Sequence, residues 1–315
     1  MQTFGFRAMN TSVLLAAEGE GCSEGMLATK SFIDDCEQRF SRFLPASELT
    51  QLNRSAGGWL EVSNDLMEML QLSRKFYIET NGLFDPSILP DLKQAGYDRS
   101  MDEIRTARTA VTAPASMRTS RLSFDQIGFD PADNRIRLPR GMEIDLGGIA
   151  KGWIVEKAAR LLNLYADACA VSAGGDMLFI GHPVDGFDWD VFLEDPRDPS
   201  RMLTELHIPS GAVATSSVAK RTWNQGGKPR HHLIDPRTGE PAHTDWLSVT
   251  VIDPDVIAAE VYAKALLISG REEAPSLLKK RKELTYLAVN PQGQLSGSTR
   301  YEEYIYEITT EAVQQ

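Results

Sequence analysis

The stretch Ile144-Asp145-Leu146-Gly147-Gly148-Ile149-Ala150-Lys151-Gly152 has residue types and spacing that could do chemistry. Two glycines before a helix let the backbone approach a ligand closely. The first helical N–H groups, which lack partners inside the helix, then face that ligand. The chemistry this suits is the binding of a phosphate or pyrophosphate. A plain strand-to-helix turn is the better reading of this stretch alone, because glycine turns are common and the pattern is neither GxGxxG nor GxxxxGKS/T. A cation in the first helical turn, here Lys151, opposes the helix dipole, so an anionic partner is the reason to expect it there.

The elements that must position this turn are a strand over Met142 to Leu146 and a helix to about Asn163. In that helix Ala150, Ile154, Ala158, Leu161 and Leu162 fall on one face. Upstream, Thr3 to Ala17 reads as two strands joined at Met9-Asn10, and Cys22 to Phe40 as a helix. Ser47 caps a short helix from Glu48 to Arg54. Ser63 starts another, which stops at Asn81-Gly82. Residues 100 to 142 give no clear order. Downstream, strands are expected at Ala168 to Ser172, Asp176 to Ile180, Trp189 to Leu193, Leu203 to Ile208, Ala212 to Ser216, His232 to Ile234, Trp246 to Ile252, Leu284 to Val289 and Tyr304 to Thr309. A helix over Pro254 to Ser269 is closed by Gly270. Strand runs with single helices, and no regular βα alternation, imply an α+β fold.

The chain has 315 residues, 42% hydrophobic and 24% charged, enough for a substantial core. A net charge of -11 argues against a nucleic-acid groove. Three cysteines without a CxxC suit free thiols rather than a disulfide framework. No apolar run approaches the roughly 20 residues that span a bilayer. The first residues lack the basic and apolar regions of a signal peptide, so a cytoplasmic protein is expected.

Six scattered motifs carry a resemblance. They are Ser41-Arg42-Phe43 with Ser47-Glu48-Leu49 and Leu52-Asn53; Gly82-Leu83-Phe84-Asp85-Pro86; the glycine turn from Asp145 to Gly152; Ala173-Gly174-Gly175-Asp176; Ala214-Thr215-Ser216; and His232-Leu233-Ile234-Asp235-Pro236-Arg237-Thr238-Gly239. Their types and order resemble the ApbE family, the FAD:protein FMN transferases. The resemblance implies one large T-fold-like domain over 1–315, with two lobes around a flavin cleft. It implies FAD as the bound cofactor, with magnesium at its phosphates. It also implies cleavage of the FAD pyrophosphate and transfer of FMN onto a threonine or serine hydroxyl of a target protein, releasing AMP.

On this resemblance Asp145, Gly147, Gly148 and Lys151 lie at FAD, and the Gly148 carbonyl ligates the metal. Leu83, Phe84 and Asp85 match a flavin-contact segment, Phe43 an aromatic that packs on a ring, and Met9 and Ile234 further FAD contacts. Each of Met9, Phe43 and Phe84 alone would be read as core. His232 matches a histidine near the phosphates that orients FAD or takes the proton of the attacking hydroxyl. Asp235 to Gly239 is also a good β-turn in its own right. His182, His207 and His243 have no partners at metal-ligand spacing and are assigned nothing.

One motif departs from the family. The usual Ala-Asp-x-x-x-Thr, whose aspartate and threonine ligate magnesium, is here Ala259-Glu260-Val261-Tyr262-Ala263-Lys264. Glu260 can still ligate a hard cation, whereas a protonated Lys264 cannot. One reading is an exposed ion pair along a helix face. The sharper expectation is that the Lys264 ammonium takes the metal's place beside FAD. Two alternatives to a transferase follow from the departure: a non-catalytic FAD-binding protein, and an FAD pyrophosphatase.

Overall fold

A computed structural model describes residues 1–106, 122–184 and 186–308. It divides into two compact units, each assembled from separated stretches of chain: 1–34, 151–220 and 244–315 in the first, 35–150 and 221–243 in the second.

The first unit is built on an eight-stranded antiparallel sheet. Its strands are Gln2–Ala8, Thr11–Glu18, Ala168–Ala173, Asp176–Ile180, Gly211–Ser217, Ser248–Asp253, Thr285–Val289 and Leu295–Gly297, and their spatial order is their chain order. Two tight hairpins set the register. Met9 and Asn10 (φ 54° and 56°) join the first pair, and Gly174 and Gly175 (φ 64° and 99°) join Ala168–Ala173 to Asp176–Ile180. Both turns have the left-handed conformation that matches strand twist. Asn and Gly take it readily, but Met9 does not.

Alternation decides what each face of this sheet meets. Ala168, Ala170, Phe179, Val213, Ile252 and Leu287 pack with Trp189, Val191, Leu193, Leu206 and Ile208 of a smaller sheet. That sheet holds the strands Trp189–Asp195, Asp198–Ile208 and Ile305–Ile308. The intervening residues face the helices Ala150–Asn163 and Val256–Leu278. Cys169 contacts the Ala159 carbonyl at 3.6 Å from that side.

The helix Val256–Leu278 begins at Asp255, whose carboxylate accepts from the Ile257 and Ala258 N–H groups. Every residue from Val256 to Ala263 is buried. Gly270 (φ 70°, ψ −177°) breaks the helical path, so the expected stop holds and a second helical segment, not anticipated, follows.

The second unit carries the helices Glu48–Arg54, Asn64–Glu79, Leu89–Gln94 and Met101–Thr106. Ser47 and Ser63 cap the first two through their hydroxyls, and Asn81 and Gly82 (φ 53° and 80°) end the second, as expected. Three short strands, Leu60–Glu61, Gly128–Asp130 and Arg135–Arg137, and the hairpin Thr222–Gln225/Lys228–His231 complete it. The part of the unordered region from 107 to 121 lies outside the described residues.

Two strand expectations are corrected. Met142 to Leu146 forms no strand. The Asn53 side chain instead accepts from the Ile144 N–H (2.8 Å) and donates to its carbonyl (2.9 Å), doing the work of a neighbouring strand. His232 to Ile234 is not a strand either. The hairpin strand ends at His231, and Ile234 makes only an isolated bridge to Pro241.

All three cysteines are free and buried. Burial pushes the Cys36 thiol up to about 12 and the Cys169 thiol to about 11, which leaves them poor nucleophiles. Among the described residues, no helix is long and apolar enough to cross a membrane.

Candidate active site

The glycine turn winds directly into the helix. The Leu146 carbonyl accepts from the Ile149 and Ala150 N–H groups (3.0 and 2.8 Å). At the helix start the Gly152 N–H donates to Glu260 Oε2 at 2.8 Å. An anion does sit at this N-terminus, and it is a carboxylate from the same chain. Gly152 is needed here because a Cβ would lie 3.0 Å from the Ile257 Cα and the Val256 carbonyl.

Lys151 also finds anionic partners within the chain. Its ammonium pairs with Asp176 and lies 3.3 Å from Glu260 Oε1. The lysine side chain is 17% exposed, and the two carboxylates 3% and 4%. Asp176 reaches the lysine because it is the first residue of its strand and lies on the helix-facing side. Glu260 reaches it from the fully buried turn of Val256–Leu278. The reading of Glu260 as half of a surface ion pair is therefore corrected: its side chain is in the interior. Lys264, one helical turn on, is partly exposed.

The second unit gathers a different cluster. The Arg42 guanidinium lies over the rings of Phe43 (4.2 Å) and Tyr97 (4.6 Å) and donates to the Tyr97 carbonyl at 3.0 Å. Its Nε is 3.4 Å from Asp145, with the arginine side chain 6% exposed. Tyr97 stacks on Trp223 at 5.4 Å, and the indole N–H donates to the Ala95 carbonyl at 2.8 Å. Ile234, 1% exposed, belongs to the same apolar cluster, with Phe43 at its margin. Cation–π contacts of this kind gain strength where water is excluded.

Sequence reasoning quoted Arg42 and Asp176 within motifs but assigned them no role, and passed over Tyr97 and Trp223. The one available signal for Trp223 was a large aromatic in an otherwise polar hairpin, Thr222-Trp223-Asn224-Gln225-Gly226-Gly227.

Leu83 and Phe84 are 6% and 3% exposed, so their side chains serve the core. Asp85 caps the turn Pro86–Ile88, accepting from the Ser87 N–H and hydroxyl at 2.8 and 2.6 Å. Gly147 lies under the Asp145 carboxylate, and Gly148 is partly exposed. Met9 is partly exposed in the strained hairpin. Asp235 to Gly239 forms the expected turn, with Asp235 paired to Arg237 at 2.8 Å.

The two adjacent histidines differ. His231 Nδ1 accepts from the Leu233 N–H (3.3 Å), which places the proton on Nε2, facing the Ala242 carbonyl at 3.2 Å. Burial holds its pKa below the ordinary histidine range, so it stays neutral at pH 7. His232, partly exposed, follows the end of that hairpin.

An α+β chain with an eight-stranded antiparallel sheet, a glycine turn entering a helix, and a buried lysine between two carboxylates defines the class of protein. The chain belongs to the ApbE family, whose model matches residues 9–288. It is 28% identical over 273 residues to a protein of Treponema pallidum named FAD:protein FMN transferase, covering 80% of this chain and 73% of that one. A Klebsiella pneumoniae protein of the same name is 27% identical over 252 residues, covering 77% and 75%. Two solved structures share the fold. The ApbE protein of Thermotoga maritima aligns with a TM-score of 0.82 at 24% identity over 97% of this chain and 100% of its own. The flavin transferase ApbE of Vibrio cholerae aligns with a TM-score of 0.78 at 19% identity, covering 96% and 99%.

Proposed function

We propose that this chain is an FAD:protein FMN transferase, which moves FMN from FAD to a threonine or serine hydroxyl of a target protein and releases AMP. The observation that carries the reading is the family match over 9–288, within which the glycine turn and Lys151 stand together at a helix start. The names of the relatives from Treponema pallidum and Klebsiella pneumoniae support it. Both units interleave along the sequence, which supports treating 1–315 as one functional domain.

In this reading the backbone of Gly147 and Gly148 and the Lys151 ammonium hold the pyrophosphate. Phosphoryl transfer requires charge neutralisation and an aligned nucleophile, and little covalent help from the protein. His232 takes the proton of the acceptor hydroxyl as its oxygen attacks the FMN phosphorus, and the bond to the AMP oxygen breaks. Met9, Phe43 and Asp145 contact FAD through their side chains. Leu83, Phe84, Asp85 and Ile234, all buried, contribute through backbone groups. The left-handed φ of Met9 is the kind of local strain that persists at functional positions.

The surroundings of Glu260 support a site that works without magnesium. Both oxygens of Glu260 are engaged, by Lys151 and by the Gly152 N–H, and Lys264 stands where the family has a neutral oxygen ligand. A hard cation seeking near-octahedral oxygen would have to displace an ammonium. This supports a site in which Lys264 supplies the positive charge in place of the metal, since the Lys151 ammonium is already matched by Asp176 and Glu260. FAD affinity measured by isothermal titration is then expected to be the same with magnesium and with EDTA. A large saturable gain with magnesium would show that a metal ligates here.

Incubation with FAD, with and without a target peptide, tests the function itself. AMP with labelled peptide supports the transferase. AMP with free FMN would mean a pyrophosphatase, and unchanged FAD a binding protein. Gly148→Val is expected to weaken FAD binding strongly, because the side chain intrudes where backbone must meet phosphate. Unaltered binding would place the pyrophosphate elsewhere.

A further inference from the structure

The small sheet of the first unit brings three metal-ligating side chains together. Asp190 stands directly opposite His207 in the register of Trp189–Asp195 with Asp198–Ile208, and Glu205 is two residues before His207 on the same strand. Trp189, Val191, Leu206 and Ile208 are packed in the core, so by alternation Asp190, Glu205 and His207 all project from the opposite, outer face. That core also locks the register, since a one-residue slip would turn the whole apolar set outward. The irregularities in this pairing begin only at Leu193 and Glu194, away from the three residues.

Their atoms are already near ligand spacing. His207 Nε2 is 3.5 Å from Asp190 Oδ1 and 3.7 Å from Glu205 Oε1, and the three ligand atoms lie within 4.8 Å of one another. Two ligands at about 2.1 Å from a tetrahedral zinc ion are about 3.4 Å apart. The half-exposed Asp190 side chain can rotate to close the remaining edge. Among the described residues, no other group of three or more such side chains converges in this way.

We infer that Asp190, Glu205 and His207 form a binding site for a divalent transition cation of the zinc type. Two carboxylates and one imidazole supply three protein ligands, leaving a fourth position to water. The cation neutralises two carboxylates that lie diagonally on neighbouring strands, with their ligand atoms within 4.8 Å of one another. It clips the two strands together on their outer face. The site lies across the large sheet from Lys151 and Glu260: Phe179 faces the core beneath the small sheet, whereas Asp176, an odd number of positions away on the same strand, faces the helices. Its role is therefore structural, independent of flavin chemistry.

The test is zinc titration of the full chain, first stripped with chelator, by calorimetry, with cobalt absorption as a second readout. One saturable site is expected, with visible cobalt bands of near-tetrahedral intensity. His207→Gln should weaken zinc binding by more than about tenfold, since even altering a ligand's hydrogen-bond partner costs 10–100-fold. It should also abolish the cobalt bands and leave FMN transfer unchanged. Glu205→Gln, which keeps size and removes charge, should weaken zinc as well and serves if the histidine variant fails to fold. No saturable zinc site, or affinity unchanged in a folded variant, would overturn the inference; the ion pairs of His207 with its neighbours would then be the whole of the arrangement.

Discussion

His232→Ala is expected to lower kcat by about 10²–10⁴-fold, the usual contribution of a positioned general base, while the cooperative melt stays in place. The reason is position: His232 is partly exposed and directly follows the hairpin strand that ends at His231. His231 makes two backbone hydrogen bonds, to the Leu233 N–H and the Ala242 carbonyl, and so serves the hairpin. His231→Ala should therefore shift the thermal midpoint down, by an amount corresponding to about 1 kcal/mol per lost hydrogen bond. Steady-state FMN transfer and thermal melts on both variants separate the roles. A His232 variant that loses its melt together with its activity would make the residue structural.

Lys151→Met is expected to destabilise the first unit by about 3–5 kcal/mol, the cost of leaving buried charge without its partner. Asp176 and Glu260, 3% and 4% exposed, would lose their shared counter-ion in one step. Neutralising the partners at the same time, in Lys151→Met/Asp176→Asn/Glu260→Gln, should recover part of that loss, because an uncharged cluster has no unpaired ion to bury. Both variants should have lost FAD binding. Denaturant unfolding gives the energies. If the single lysine variant unfolded at the wild-type midpoint, the cluster would hold no stability.

What was legible in the sequence was local. The helices Cys22–Phe40 and Glu48–Arg54, and the start and stop of the one after Ser63, were readable because caps, glycine stops and helical periodicity act within a few residues. The two hairpins at Met9-Asn10 and Gly174-Gly175 were readable for the same reason. The ordered motifs also placed the chain in its family, since each is a short run whose types survive without knowledge of the contacts.

The tertiary structure decided what depends on distant partners. Met142 to Leu146 looks like a strand, but the Ile144 backbone bonds to Asn53, 91 positions earlier, and the Asp145 N–H donates to the Pro86 carbonyl. The helix Val256–Leu278 shows little amphipathic pattern because it is buried on every side through Ala263, and a face that meets protein everywhere leaves no period to read. Lys151 was recognised as needing an anion, yet the anions proved to be Asp176, 25 positions on, and Glu260, which also caps Gly152 from 108 positions away. Asp190 and His207 carried no metal-ligand spacing along the chain. The register of two strands, held by the core beneath them, puts them side by side, because pairing across a sheet is fixed by packing and not by sequence separation.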